Sequence, residues 1–368
     1  MTRMNRIRIA AAVLIAVIAM GAAQVFLNRL QEPETGSQRL KVFCAGSLLY
    51  PLNKVADAFM EDHPGIEVEV EGHGSIQVIR NPTELDDPAD LLMVADCSLI
   101  PVMMYKTPIP GGEGNFTDWY IRFAGNRLVL AYTDQSRYSD EVNTTNWFEV
   151  LSRGDVKIAL ANPIIDALGY RGLLVLQLAE YHYGDRQIFE RILGPRFNPE
   201  IETVEVGSRT VIFVPEQFKP LEDKVAIRAS SIQIVPLLES GAVDYTFLYL
   251  SNAEQYGVKY VELPPEIDLG SPEMDELYMR AQVRFQHARF QSIGLDRKGR
   301  TIYYGLTIPG NAANPEDAVE FTKYLLVDRG REIFEENSHP IYQPSYTDNL
   351  NGVPEELRSL VIQEQGTG

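Results

Sequence analysis

The fold is indicated most clearly by residues 40–80, LKVFCAGSLLYPLNKVADAFMEDHPGIEVEVEGHGSIQVIR. Each half has a strand-like segment (40–44, then 66–70), a Gly-Ser pair, and a segment with helical periodicity (50–62, then 75–80). A third strand-like run at 91–95 and a helical segment at 98–105 follow. This alternation predicts a mostly parallel sheet with helices on both faces.

The rest of the chain predicts a second α/β unit. Further strand-like segments lie at 127–133, 156–161, 225–228, 243–250 and 303–308. We expect one long helix over 315–336 and an irregular insertion over 184–222, where periodicity is weak. Since 368 residues are too many for one compact core, we expect two lobes. The first would comprise 39–125 and 309–360, and the second 126–308 with the crossing strands.

The N-terminus has the pattern of an export signal. Arg3, Arg6 and Arg8 precede an apolar run over residues 9–27. The run approaches the roughly 20 residues that span a bilayer, so a retained membrane anchor and a signal cleaved near Gly21 are both open. Residues 1–38 would form this segment plus a tether, and the remainder would lie outside the cytoplasmic membrane.

Charge and cysteine content exclude several classes of function. A formal net charge of −18 disfavours nucleic acid as a partner, because that needs basic surface. The cysteines, Cys44 and Cys97, lack the spacing of a zinc site. We expect two buried free thiols, with a disulfide as the alternative.

Small polar residues stand where three predicted strands end. Gly46-Ser47, Gly74-Ser75 and Cys97-Ser98 each precede a helical segment. Serine is a common helix cap, which is the simplest interpretation of each. In open parallel sheets, however, ligands bind at the carboxyl ends of strands, where helix N-termini attract anions. The repetition therefore predicts a site for a compact oxyanion.

A carboxylate and a tyrosine are candidates in the second unit. Asp166 follows a predicted strand and begins a helical segment, and Tyr249 ends the strand VDYTFLYL. Asp166 as a helix cap and Tyr249 as an ordinary strand residue are the alternatives. Near an oxyanion, a carboxylate is useful as a ligand of tungsten or molybdenum, which can expand beyond four oxygen ligands.

Collinear motifs resemble the archaeal tungstate/molybdate-binding proteins of ABC importers over nearly the whole chain after the tether. They are FCAGSL (43–48), GS (74–75) with TEL (83–85), ADCSLIP (95–101), DWY (118–120), LAYT (130–133), NTTNW (143–147), GYR (169–171), ESGAVDY (239–245), VELP (261–264) and IFEEN (333–337).

The resemblance implies a two-lobed α/β type II periplasmic-binding fold that closes on its anion, and an ABC permease as partner. It implies that Ser47 and Ser75 contact the oxyanion, that Asp166 supplies an oxygen ligand, and that Tyr249 lies beside it. Gly46, Gly74, Ser98 and Ser231 are expected to line the site. Tungstate and molybdate both remain open as the ligand.

One position departs from the family pattern. The family carries a second coordinating Glu eighteen residues before the tyrosine that matches Tyr249, in a pattern like Arg-Pro-Lys-Glu. This chain has Arg228-Ala-Ser-Ser231, which puts Ser231 at that position. Fewer carboxylate ligands, or relaxed selectivity towards anions such as sulfate, would follow.

Two other functions are weighed against a binding protein. An extracytoplasmic hydrolase using Asp166 with a nearby His would need a nucleophile, but the G-x-S-x-G motif is missing. A sensor would need a separate signalling partner. We therefore expect a monomeric binding protein without a cofactor, not an enzyme.

Overall fold

A computed structural model of the chain describes residues 38–364, apart from 218, 222 and 287–295. The predicted signal segment and nearly all of the tether lie outside the described residues. Within the described part, no helix has the length and apolar character to cross a bilayer.

The strands of the described chain form three sheets. They are β1 (Gln38–Ala45), β2 (Ile66–His73), β3 (Leu91–Val94), β4 (Ile121–Asn126), β5 (Leu128–Tyr132), β6 (Ile158–Ala161), β7 (Glu202–Val206), β8 (Arg209–Val214), β9 (Val225–Arg228), β10 (Tyr245–Tyr249), β11 (Lys259–Glu262), β12 (Ala281–Phe285), β13 (Asp296–Lys298), β14 (Ile302–Thr307), β15 (Ile341–Thr347) and β16 (Val361–Gln363).

The helices lie mainly in the connections between these strands. They are α1 (Leu49–Asp62), α2 (Ser75–Glu84), α3 (Leu99–Met104), α4 (Trp147–Ser152), α5 (Ala167–Tyr183), α6 (Ile188–Ile192), α7 (Val235–Glu239), α8 (Leu250–Gln255), α9 (Asp275–Tyr278), α10 (Pro315–Leu326) and α11 (Asp328–Glu336).

The predicted alternation of strands and helices is confirmed. A seven-stranded sheet has the order β16-β15-β4-β14-β3-β1-β2, and β1 pairs in parallel with both β2 and β3. A five-stranded sheet has the order β11-β5-β10-β6-β9, in which β6 runs parallel to β9 and β10. The carboxyl ends of β1, β2 and β3 therefore meet at one edge, as the opening stretch predicts.

The prediction of an irregular insertion over 184–222 is wrong. This region supplies β7 and β8, which join β12 and β13 in a four-stranded sheet. All five residues of β7 are exposed, so this strand shows no buried apolar face. Val204 and Val206 alternate with a polar residue but are exposed, and five residues are too few for this pattern to distinguish a strand from a loop.

The single helix predicted over 315–336 is also wrong. Val327 has an extended backbone and separates α10 from α11. A Cβ on Gly330 would lie 2.3 Å from the carbonyl oxygen of Tyr324, so the second helix folds back closely against the first. The break lets Phe334 be fully buried, with its ring 6.2 Å from that of Phe123.

Strand β14 belongs to the seven-stranded sheet, whereas the sequence led us to expect it in the second lobe. Its residues fall within 126–308, yet it pairs with β3 and β4 inside the seven-stranded sheet. Gly305 makes this pairing compact, because a Cβ there would lie 2.6 Å from the Cβ of Cys97. Cys97 and Cys44 are both buried free thiols, as predicted.

Candidate functional site

The ends of β1 and β2 place two serines side by side. Ala45 pairs with His73 in the parallel register, and Ser47 and Ser75 each follow two residues later. Both side chains are buried, at 1% exposure. Neither hydroxyl caps its helix, because Gly74 is the N-cap of α2 and the 3-10 helix Gly46–Leu48 begins after Ala45. The capping interpretation is therefore wrong for both.

Each of these hydroxyl oxygens accepts a hydrogen bond from within the protein. Tyr304 donates its hydroxyl proton to Oγ of Ser47 at 3.1 Å. The backbone N–H of Ala95 donates to Oγ of Ser75 at 3.0 Å. Since a hydroxyl both accepts and donates, the proton of each serine can be given to a further acceptor. Two fixed, uncharged donors thus lie at neighbouring strand ends.

The two glycines beside these serines bring the second unit into backbone contact. A Cβ on Gly74 would lie 2.3 Å from the carbonyl oxygen of Ile165, a distance that no side chain tolerates. A Cβ on Gly46 would lie 3.2 Å from Oγ of Ser231. The ends of β1 and β2 therefore press against the ends of β6 and β9, and only glycine permits this approach at position 74.

Asp166 caps a helix, and its buried carboxyl has a raised pKa. Its carboxylate accepts a hydrogen bond from the N–H of Leu168 at 2.7 Å, so the capping interpretation is correct. It is 5% exposed, and burial raises the pKa of the carboxyl to about 7, against the opposing effects of the Leu168 N–H, Arg171 and the Ser231 N–H. Within the described chain, no cation forms an ion pair with it.

Tyr249 is tied to an arginine that joins the two units. Nη1 of Arg171 donates to the hydroxyl of Tyr249 at 2.8 Å and to the carbonyl of Ala95 at 2.6 Å. Nη2 lies 3.9 Å from Asp96. Arg171 is 4% exposed, so this link is shielded from water. Burial raises the pKa of the Tyr249 hydroxyl, which keeps its proton at neutral pH.

Several residues of this junction were not singled out by the sequence. Asn252 donates to the carbonyl of Ser47 at 3.2 Å, and Asn126 donates to the hydroxyl of Tyr304 at 3.0 Å. Tyr304 and Asn126 lie in ordinary β-strands, so no local pattern distinguishes them from core residues. Arg171 was part of the GYR motif, whose spacing carried no information about its partners.

The structure brings most of the predicted site residues together. Gly46 contacts Ser231, Ser231 and Asp166 share a hydrogen bond, and Gly74 packs on the backbone of Asp166. Ser98 is tied elsewhere: its hydroxyl donates to Asp96 at 2.7 Å, and no contact joins it to the other serines in the described residues. The candidate site residues that lie together are thus Ser47, Ser75, Asp166, Ser231 and Tyr249, with Gly46, Gly74, Arg171 and Tyr304 packed around them.

The chemistry of this junction is that of an anion receptor. It offers hydroxyl and N–H donors and a single carboxyl with a raised pKa. Among the described residues, no group of three or more His, Cys, Asp or Glu side chains could hold a metal ion. Such a junction can hold a small anion by hydrogen bonds from these donors. Asp166 is the one carboxyl of the junction that can supply an oxygen ligand.

Comparisons with known proteins define the class. The chain belongs to the bacterial extracellular solute-binding proteins, whose family model matches residues 40–337. A molybdate/tungstate-binding protein of Pyrococcus abyssi is 37% identical over 90% of this chain and 92% of its own length. An uncharacterized solute-binding protein of Methanoculleus marisnigri is 38% identical over 88% of this chain and 86% of its own.

Solved structures show that the fold is the type II periplasmic-binding fold. The periplasmic molybdate-binding protein of Azotobacter vinelandii matches 83% of this chain and 100% of its own, with a TM-score of 0.52 and 18% identity. The sulfate-binding protein SubI of Mycobacterium tuberculosis matches 83% of this chain and 88% of its own, with a TM-score of 0.51 and 12% identity.

The buried carboxyl makes a prediction about stability. The pKa of Asp166 in the folded protein, about 7, lies well above the ordinary value of an aspartate, so the folded state binds this proton more tightly than the unfolded state does. Stability is therefore lost as pH rises from about 4 to 7. Asp166→Asn keeps a capping oxygen but cannot ionise. We expect the variant's melting temperature to exceed that of the ligand-free wild type by a margin that widens by several degrees between pH 5 and pH 8.

Differential scanning calorimetry at both pH values measures this margin. Asp155→Asn, at an exposed position, is the matched control and should track the wild type. A margin for Asp166→Asn that stays constant with pH would contradict the raised pKa.

Proposed function

We propose that this protein captures tungstate or molybdate outside the cytoplasm and delivers it to an ABC importer. The observation that carries the proposal is the convergence of Ser47 and Ser75 from one unit with Asp166 from the other at a glycine-lined junction. The relative from Pyrococcus abyssi, named for molybdate and tungstate, supports it over almost the full length. The extracellular character of the family supports the location.

The donors suit a tetrahedral dianion that must be released again. Two serine hydroxyls and the helix N-termini behind them supply directed hydrogen bonds without a full positive charge. The two units hold the anion between them, and separation of the units at Gly74 and Ile165 would expose it. Reversible closure of this kind is how we propose that the ligand is captured and passed to the permease.

Asp166 gives the site its selectivity in this proposal. A carboxylate repels any dianion, but it can also bond to tungsten or molybdenum as an additional oxygen ligand. Ser231 lies beside it, at the position where the family pattern has a second carboxylate, and a hydroxyl supplies no anionic ligand. We therefore propose that Asp166 is the single carboxylate ligand and that discrimination against sulfate rests on it.

Sulfate is the second candidate ligand. The missing carboxylate at Ser231 makes the junction resemble a receptor that uses hydrogen bonds alone, which is what sulfur chemistry allows. The fold is shared with a protein named for sulfate binding. Binding measurements with both anions separate the two candidates.

We further propose that the protein is not an enzyme. A hydrolase would need a base at Ser47, and the nearby His339 contacts the backbone of Ser47 and of Asn337 instead. Oγ of Ser47 is bonded to Tyr304. Burial lowers the pKa of His339 to about 4, so the ring is neutral above pH 5, and its contact with Ser47 is to the backbone and not to the hydroxyl. Its role in this proposal is structural.

The affinity for anions tests the proposed function. We expect titration calorimetry of the purified protein to give a dissociation constant below about 10 μM for tungstate or molybdate, and a weaker one for sulfate and phosphate. Ser47→Ala and Ser75→Ala should each weaken tungstate binding by about 1–3 kcal/mol, the cost of a lost bond to a charged group.

Ser240→Ala is the matched control, because this serine is exposed and bonds only to its own helix end. Melting temperatures of all variants are measured in parallel to verify folding. Wild-type affinity in both folded site variants would contradict the assignment of Ser47 and Ser75.

The pH dependence tests the role of Asp166. Since its pKa is about 7, it loses its proton between pH 6 and pH 8. A metal–oxygen bond needs the deprotonated form, so tungstate affinity should rise by about tenfold over this range. Sulfate gains a donor from the protonated acid and repulsion from the ionised one, so its affinity should fall.

In Asp166→Asn, the affinities for tungstate and for sulfate should no longer change between pH 6 and pH 8. Equal slopes for the two anions in the wild type would show that no carboxylate–metal bond forms.

A further inference from the structure

A cavity outside the proposed oxyanion site has Arg171 in its wall. It has a volume of about 670 Å³, within the range of small-molecule sites. Ser98, Tyr120 and Tyr303 line it from the seven-stranded-sheet unit, and Tyr170 and Arg297 line it from the other unit. Ser47, Ser75, Asp166 and Ser231 do not belong to its wall, which separates it from the oxyanion site.

The wall has a small surplus of positive charge in a strongly acidic protein. The chain carries a net charge of −18, yet the cations of the wall outnumber its acids. The cations are Arg122, Arg171, Arg297, Lys298 and Arg300, and the acids are Asp96, Asp275, Asp296 and Glu364. A local surplus of this kind favours an anionic ligand.

Three of these acids, Asp275, Asp296 and Asp96, are already hydrogen-bonded within the protein. Asp275 accepts from the N–H and the hydroxyl of Thr301, each at 2.7 Å. Asp296 binds Arg284, which lies outside the wall, at 2.6 Å. Asp96 accepts from Tyr170 and Ser98. The acids therefore have little capacity left to attract a cation into the cavity.

Arg122 is held as a rigid donor. Its guanidinium carbon lies 4.2 Å from the ring centroid of Tyr303 and 4.6 Å from that of Tyr346. Nε lies 3.2 Å from Oε1 of Glu364, but neither atom has a hydrogen-bond partner among the described residues. This ion pair fixes the orientation of the guanidinium within the wall. A flat, fixed guanidinium matches a carboxylate through two parallel bonds.

We propose that this cavity is a second binding site, for a small organic carboxylate. A single tetrahedral anion is too small to touch opposite walls of a 670 Å³ cavity. The rings of Tyr120, Tyr170 and Tyr303 supply apolar contact for a carbon skeleton, and Arg122 with the cations at the mouth holds the carboxylates. Lys298 and Arg300 are exposed and form that mouth.

Citrate serves as the probe. We expect titration calorimetry of the purified full-length protein to show one citrate per chain with a dissociation constant below about 1 mM, both without tungstate and in its saturating presence. Inorganic phosphate at equal concentration should bind at least tenfold more weakly. Binding at the second site does not depend on the proposed oxyanion function, since it is measured in the absence of tungstate.

Two variants locate the bound citrate. Arg300→Glu reverses a charge at the mouth and should weaken citrate binding at least tenfold. Arg122→Lys keeps the charge but removes the planar fork, and should weaken it at least fivefold. Lys106→Glu changes the net charge equally at an exposed position away from the cavity, and should leave citrate affinity unchanged.

Three results would overturn the proposal. One is the absence of citrate binding at 5 mM in the folded protein. Another is complete displacement of citrate by tungstate, which would put citrate in the oxyanion site. The third is equal citrate affinity in Arg300→Glu and Lys106→Glu, which would reduce the effect to general charge.

Discussion

The close approach of two backbones, at Gly74 and Ile165, is the constraint on which the rest of the structure depends. Because no side chain fits between them, the carboxyl ends of β1 and β2 meet the start of α5 directly. That contact buries Asp166 and leaves its carboxyl without a cationic partner in the described chain. Arg171 then secures the arrangement, with one bond to each unit. The site is thus a property of the junction and belongs to neither unit alone.

A strongly acidic protein that binds a dianion must do so at short range. In our proposal the junction does this with the neutral hydroxyls of Ser47 and Ser75. Each already accepts a hydrogen bond, from Tyr304 and from the Ala95 N–H, so its own proton is left to donate to the anion. The buried acid is the exception. A carboxyl that titrates near neutral pH is less costly beside an anion than a permanently ionised one. The same burial that costs the folded protein stability therefore lowers the electrostatic cost of placing this acid beside an anion.

The sequence predicted the parts of the fold that carry a periodic signal. The alternation over residues 40–105 was sufficient to place Ser47 and Ser75 at one edge of a parallel sheet, and Asp166 followed from its position after a strand. The exposed strand β7 is short and has no buried face, so its periodic signal was too weak to predict a strand. The break at Val327 depends on the close contact at Gly330, which a helical pattern does not report. Arg171 and Tyr304 act through partners more than seventy residues away, and no local pattern reports a partner at that distance. The distinction between Ser98 and the other two serines depends on Asp96, two residues earlier, which takes the Ser98 hydroxyl in a local hydrogen bond. The pattern of serines at strand ends did not take this neighbour into account.

The central claim is that an oxyanion lies between Ser47, Ser75 and Asp166. A crystal structure of the protein grown with tungstate, with anomalous data collected at a tungsten absorption edge, tests this most directly. We expect one strong anomalous peak whose surrounding oxygens lie within hydrogen-bonding distance of both serine hydroxyls, with a carboxylate oxygen of Asp166 bonded to the metal. A peak elsewhere, or none at all in crystals with saturating tungstate, would contradict it.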